Sequence, residues 1–146
     1  MFGWQLQEAL RRDPKAARAL VGVYTRGERW PSPRHFPAAY LVNTARGGPG
    51  EHWVAVFLED SKRAEYFCSY GTAPLDDIYR RLRRMGYGDV RYSTKMLQGP
   101  VSRSCGLYAF YFLAMRSRGL PLGAVTSVFR EYDFAYNEAT IRHLLR

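Results

Sequence analysis

Cys105 stands where an apolar helix should begin, in the stretch Gln98-Gly99-Pro100-Val101-Ser102-Arg103-Ser104-Cys105-Gly106-Leu107-Tyr108. A thiol in a first helical turn faces unpaired backbone N–H groups, which favour the thiolate and lower its pKa. The same N–H groups can receive an oxyanion. An isolated Ser-Cys-Gly is ordinarily a packed core cysteine, so the question is what accompanies it. His52 falls in an extended run, and Gln98 lies seven residues upstream of Cys105. Thiol hydrolysis needs a base within hydrogen-bond reach, a group that orients the imidazole, and donors for the developing oxyanion. Cys105, His52 and Gln98 are of the types that fill those places. Their spacing leaves open whether His52 reaches Cys105.

The elements that must position them follow from periodicity. After the Gly-Pro breaker, Leu107, Tyr108, Phe110, Tyr111, Leu113 and Ala114 are too apolar for an exposed helix. Residues Ser104 to Arg116 therefore read as a central buried helix with Ser102 or Ser104 as N-cap. Glu51 to Leu58 nearly alternates, with His52, Val54, Val56 and Leu58 on one side and Trp53, Ala55 and Phe57 on the other. Both sides are largely apolar, as in a central strand covered on two faces. Ala64 to Tyr70 is the returning strand, which makes a hairpin carrying His52 near one end and Cys68 near the other. Ala38 to Asn43 and Val90 to Ser93 are further strands, Val21 to Tyr24 is a short extended run, and the glycines and proline of 44–50 form a turn.

Trp4 to Leu10 and Pro14 to Leu20 read as short helices broken at Asp13-Pro14, with Trp4 and Leu6 or Leu10 facing inward. Ala73 to Met85 is a helix whose buried stripe is Leu75, Ile78, Tyr79 and Leu82, ended by Gly86 and Gly88. Leu122 to Phe129 and Asn137 to Leu145 close the chain, separated by an aromatic loop at 132–136. Trp30 is an anchor in an otherwise polar loop, and His35 and His143 are surface or structural residues. The expected class is α+β, a small central sheet against one long buried helix.

Composition bounds the function. A chain of 146 residues fits one domain, 1–146, with a single core. No stretch approaches the length of an apolar membrane span, and the first residues lack the pattern of a secretory signal. Two cysteines make neither a disulfide scaffold nor a four-ligand zinc site, so no metal is expected and both thiols are read as free in a reducing compartment. The net charge of +9 attracts polyanions without naming one. Arg80, Arg81, Arg83 and Arg84, followed by Arg91 and Lys95, are either a solvated face or a non-specific, salt-sensitive nucleic-acid surface.

Three blocks, 50–56 (Gly-Glu-His-Trp-Val-Ala-Val), 66–71 (Tyr-Phe-Cys-Ser-Tyr-Gly) and 98–108, resemble the signature blocks of the adenovirus-type maturation proteases. The stretch 40–45 resembles the strand that precedes the histidine in the viral enzymes. The likeness runs from about Val21 to Ala114. It implies a papain-like cysteine protease in circularly rearranged order, the plan shared with the SUMO and ubiquitin-like-protein proteases. Carried over, Cys105 is the nucleophile, His52 the general base and Gln98 the side-chain donor of the oxyanion hole. Trp53 is the aromatic beside the histidine in the substrate cleft. Gly106 either admits a close approach of substrate or helix backbone or relieves crowding.

The chain departs from that pattern at Cys68, where the family has the acid that orients the histidine. Cys68 accepts the histidine's hydrogen bond weakly, an acid such as Glu65, Asp60 or Glu51 substitutes, or the orienter is lost. A Cys68–Cys105 disulfide is not expected if His52 lies between the two side chains. The resemblance implies a cysteine endopeptidase, a monomer, that cleaves capsid or core precursors at Gly-containing sites in the virion and host nucleus. No cofactor is required for the chemistry, while DNA or a viral peptide would be an activator. The chain lacks a third cysteine for a disulfide-linked activating peptide. A ubiquitin-like-modifier protease and a weakened pseudoprotease binding capsid protein or nucleic acid are the alternatives.

Overall fold

Trp53, Ala55 and Phe57 point one way along β3 (Trp53–Leu58), Val54, Val56 and Leu58 the other, and all six are buried. An extended chain alternates its side chains with period two, so an uninterrupted apolar run can be buried only if both faces are covered. In the computed structural model, which describes residues 3–44, 52–100 and 102–145, both faces are covered. β2 (Ala38–Asn43) pairs antiparallel with one side of β3 and β4 (Ala64–Phe67) with the other. β1 (Leu20–Thr25) adds in parallel to β2, and β5 (Val90–Tyr92) in parallel to β4. The result is a five-stranded mixed sheet in the order β1-β2-β3-β4-β5.

The face carrying Trp53, Ala55 and Phe57 packs on α4 (Cys105–Ser117), joined by α1 (Gly3–Arg12) and α2 (Pro14–Ala19). A helix apolar on all sides has to be surrounded, and α4 is: Tyr108, Ala109, Phe112 and Leu113 are all buried. Phe112 lies flat on Phe67 with ring centroids 4.8 Å apart. The other face holds Tyr40, Val54, Val56 and Tyr66 under α3 (Asp76–Arg84), which contributes Ile78 and Leu82. α5 (Leu122–Thr126) and α6 (Phe134–Leu144) pack around α4. The α+β layout expected from the sequence is present as a small mixed sheet against several helices.

Several local expectations are corrected. Trp4 does not face inward: it is 68% exposed, because Leu6 and Leu10, one turn apart, define the buried stripe and Trp4 lies roughly 200° around the helix from Leu6. The aromatic loop is shorter than read. Asp133 accepts the Tyr136 N–H at 3.2 Å, so the last helix begins at Phe134. α3 starts only at Asp76, since Pro74 and the extended Leu75 precede it. α5 ends at Thr126, short of Phe129. Ser104 occupies the N-cap of α4 but its hydroxyl makes no capping bond; it donates to Glu138 instead. The turn expected over 44–50 lies, apart from Thr44, outside the described residues, as does Glu51.

Arg116 does more than end the central helix. It is buried, with Nε 2.6 Å from Glu65, Nη2 3.5 Å from Glu59, Nη1 donating to the Leu120 carbonyl at 2.7 Å, and its guanidinium over Phe57. The pair joins the last turn of α4 to β4 and explains how an acidic residue occupies an otherwise apolar strand.

Candidate functional site

His52 lies immediately before β3, and its backbone is held from β2. The His52 N–H donates to Asn43 Oδ1 at 3.4 Å, and its carbonyl accepts from Thr44 N at 2.8 Å and Thr44 Oγ1 at 3.2 Å. Because β3 and β4 are antiparallel, the start of one lies beside the end of the other. That brings His52 Nε2 to 3.3 Å from the sulfur of Cys68, one residue past β4. Tyr70 stacks on the imidazole with centroids 5.0 Å apart. Burial holds the His52 pKa below the ordinary histidine value, so the ring is a neutral base in the folded chain.

Cys105 opens α4 from the other layer, with its sulfur turned toward the start of β3. The Trp53 backbone N–H donates to Cys105 Sγ at 3.5 Å. Burial pushes the thiol pKa up, against the opposing pull of the Trp53, Gly106 and Cys105 N–H groups. Burial wins. The expectation of a lowered thiol pKa at this helix start is therefore corrected: the donors are present, but the site is too dry for them to ionise the sulfur. Burial raises the pKa of the Tyr70 phenol, and its nearness to Cys105 and then Cys68 adds to the shift, so one ring lies close to both sulfurs. Cys68 and Cys105 are both free thiols. The chain thus carries a part-buried cysteine–imidazole pair of the kind that thiol hydrolases use. The ring contact in this structure runs to Cys68.

Gln98 is fully buried and anchored on both atoms of its amide. Its Oε1 accepts from Ser69 Oγ and its Nε2 donates to the Ser102 carbonyl at 2.9 Å. The Ser69 carbonyl in turn accepts from the Leu97 and Gln98 N–H groups. A glutamine amide has two N–H donors, so one remains beyond the Ser102 bond. Trp53 and Gly106 were assigned to the substrate cleft by resemblance. The Trp53 indole is 4% exposed and lies in the core. A Cβ at Gly106 would meet Leu6 Cδ1 at 3.2 Å and Trp53 Cδ1 at 3.3 Å, so close packing already accounts for the glycine.

The acids weighed as substitutes for an orienting carboxylate do not reach His52. Glu65 sits at the far end of the hairpin, paired with Arg116. Asp60 accepts the Lys62 and Arg63 N–H groups at 2.9 and 2.8 Å. Glu51 is outside the described residues. Among the described residues no group of three or more His, Cys, Asp or Glu side chains could hold a metal ion, and no helix is long and apolar enough to cross a membrane.

The basic residues are divided. Arg80, Arg83 and Arg84 on α3 and Arg91 on β5 are exposed, and Lys95 is half-buried. Arg81 is partly withdrawn, its guanidinium 4.9 Å over the Trp30 ring. The four arginines of α3 stand on the layer opposite α4, whereas Arg91, in register with Glu65 and alternating with the buried Val90, points to the α4 side of the sheet. Ser69, Tyr70 and Glu138 were not singled out from the sequence. Ser69 and Tyr70 lie within the 66–71 block, which was the available signal, whereas Glu138 had none.

No family model matches this chain. A "Protease" of Porcine adenovirus A serotype 3 is 34% identical over 94 residues, covering 53% of this chain and 46% of that protein. The chain spans about half the length of that curated relative. The crystal structure of the ASFV pS273R protease superposes with a TM-score of 0.67 at 17% identity, covering 99% of this chain and 67% of that one. A selenomethionine crystal structure of the same protease gives 0.52 at 23% identity, over 74% of this chain and 44% of that one. The chain shares the fold of the pS273R protease.

Proposed function

We propose that this chain is a cysteine endopeptidase domain, with Cys105 as nucleophile, His52 as general base and Gln98 with the Cys105 N–H as oxyanion donors. The observation that carries the proposal is the Cys105 sulfur under backbone N–H groups at the start of β3, beside the residue that bears the imidazole. Cys68 is equally buried but meets the ring at Nε2, and we assign it to orientation. With Nε2 directed at Cys68, Nδ1 is the nitrogen for the reaction. As Cys105 Sγ bonds to the scissile carbonyl carbon, its proton passes to Nδ1. The oxyanion is held by N–H groups, then collapses, and the C–N bond breaks as the imidazolium protonates the leaving amine. Water, losing a proton to the neutral ring, hydrolyses the thioester and restores the thiol.

Both groups start neutral, and substrate binding supplies the conditions for proton transfer. A cavity of about 590 Å³ lies against the loop that precedes Cys105, its apolar wall formed by Pro100, Leu107 and Phe134 and its polar rim by Ser102, Glu138 and Arg142, and offers room for a polypeptide side chain. We propose, from the resemblance of the sequence blocks, that the chain's substrates are precursor proteins cut at Gly-containing sites during particle maturation in the virion and host nucleus. The same resemblance is the ground for proposing the circularly rearranged plan and a monomeric enzyme without a required cofactor.

The test is incubation of the purified chain with Gly-containing peptides and with a modifier bearing a Gly-Gly tail, with and without DNA, followed by mass spectrometry. Cleavage of the peptides that disappears in Cys105→Ala and His52→Ala supports the reading. Cleavage confined to the modifier tail transfers it to the ubiquitin-like-modifier proteases. No cleavage under any condition, with Cys105 alkylated equally fast in wild type and His52→Ala, sinks it. Exposure of Arg80, Arg83 and Arg84 favours a second reading, a nucleic-acid surface for activation or anchoring. It requires binding that weakens steeply with salt and survives Cys105→Ala.

A further inference from the structure

Gln98 lies outside any helix or strand, and the Ser69 contacts described above hold it from the β4 side. A second set of contacts comes from α6, nearly forty residues away. Asn137, fully buried, donates to the Leu97 carbonyl at 3.0 Å and closes on Arg130 at both ends of its amide. The next residue, Glu138, accepts from the hydroxyls of Ser102 and Ser104, one on each carboxylate oxygen. Ser104 N donates back to Ser102 Oγ at 3.2 Å, and the Ser102 carbonyl takes one of the two Gln98 amide hydrogens. Asn137 and Glu138 therefore bracket Gln98 from both sides. With Oε1 on Ser69 and one hydrogen on Ser102, the direction of the remaining Gln98 N–H follows from where Ser102 is held.

We infer that Glu138 is a positioning residue for the oxyanion donor, an inference that rests on the protease reading above. A carboxylate suits the task because it accepts from two hydroxyls at once without competing as a donor for the Ser102 carbonyl. Arg142, 3.7 Å away and one turn on, steadies it. The role acts at the oxyanion and not at the sulfur, so it separates two steps that a general loosening of the fold would slow together.

The experiment compares wild type, Glu138→Ala, Glu138→Gln, Ser102→Ala, Gln98→Ala and the Glu138→Ala/Gln98→Ala double variant. It reads kcat and KM on a Gly-containing peptide, Cys105 alkylation by iodoacetamide, and the Gln98 side-chain amide signals by NMR. Glu138→Ala is expected to lower kcat about tenfold to hundredfold, within the range an oxyanion donor contributes, with alkylation unchanged. Because Glu138 also lines the proposed substrate cavity, kcat and alkylation decide, and KM alone does not. The double variant should be no slower than Gln98→Ala, and Glu138→Gln, whose amide keeps one of the two accepting oxygens, should recover only part of the loss. Ser102→Ala, which leaves α6 intact, should lower kcat in the same direction. Effects that multiply, or alkylation that falls in step with kcat, overturn the inference. If wild type cleaves nothing, the protease reading fails separately and the NMR signals still decide the clamp. A shifted or broadened Gln98 amide in Glu138→Ala upholds it, and unchanged signals overturn it.

Discussion

The β3–β4 hairpin carries a buried ion pair at one end and a half-buried, neutral imidazole beside a cysteine at the other. At the Phe57–Glu65 end the carboxylate is 7% exposed and meets the Arg116 guanidinium at 2.6 Å. At the other end His52 meets a thiol, with no carboxylate on the described contacts of its ring. Both arrangements obey the same rule, that a buried group is either paired with its opposite or left uncharged. Their consequences differ. The Glu65–Arg116 end couples the sheet to α4, whereas the Cys68–His52 end keeps an imidazole neutral and able to accept a proton. Burial depth does not separate the two cysteines either, at 2% for Cys68 and 4% for Cys105. Directed N–H donors distinguish Cys105.

Cys105→Ala breaks the neutral end most severely: peptide turnover should fall by about 10⁴-fold or more, to the uncatalysed background, with the thermal midpoint nearly unchanged. Loss of turnover measured on a Gly-containing peptide checks it, and residual thiol-dependent cleavage by Cys68 would contradict the assignment of the nucleophile. At the charged end, Arg116→Ala strands the Glu65 carboxylate and should cost about 3–5 kcal/mol in urea unfolding. A loss below 1 kcal/mol would mean that Glu65 finds water or protonates cheaply.

Cys68→Asp makes the two ends alike. The new carboxylate would favour the imidazolium, raising the His52 pKa and increasing turnover by about tenfold, as far as orientation limits the wild type. Titration of the His52 ring by NMR, together with kcat, reads both effects; a raised pKa without faster turnover would show that the thiol already orients the ring adequately.

The smallest effects are in the titrations. His52 should titrate below its ordinary value of about 6.5, and Cys105 alkylation should have its midpoint above that of a simple thiol, about 8.5. The sign for stability follows. Because folding lowers the His52 pKa, its contribution is present above about pH 6.5 and is lost as the pH falls through the folded value. Cys105 alkylation with a midpoint near pH 6 would instead reveal a standing thiolate–imidazolium pair.

Much of the site was legible because its parts are local. The thiol at a helix start, the alternating strand after His52 and the all-apolar α4 are each written within about a dozen residues, and their periods decide their form. Trp4 and the start of α6 were misread where a helical phase or a capping aspartate outranked hydrophobic content. The missing carboxylate at Cys68 was also visible, but what fills its place was not. Glu65 looked like a candidate from proximity in sequence, and only the strand register puts it at the wrong end.

By itself, then, the sequence determined the elements, the two thiols, the histidine and the class of chemistry they could support. Tertiary structure decided the pairings: Cys68 with His52 across 16 positions, Arg116 with Glu65 across 51, and Glu138 with the serines before Cys105 across 36 and 34. It also decided the protonation states. A helix start favours a thiolate through groups a few residues away, but the desolvation that overrides it comes from layers contributed by the whole chain. Local pattern sets geometry, and burial, which is a property of the assembled fold, sets charge.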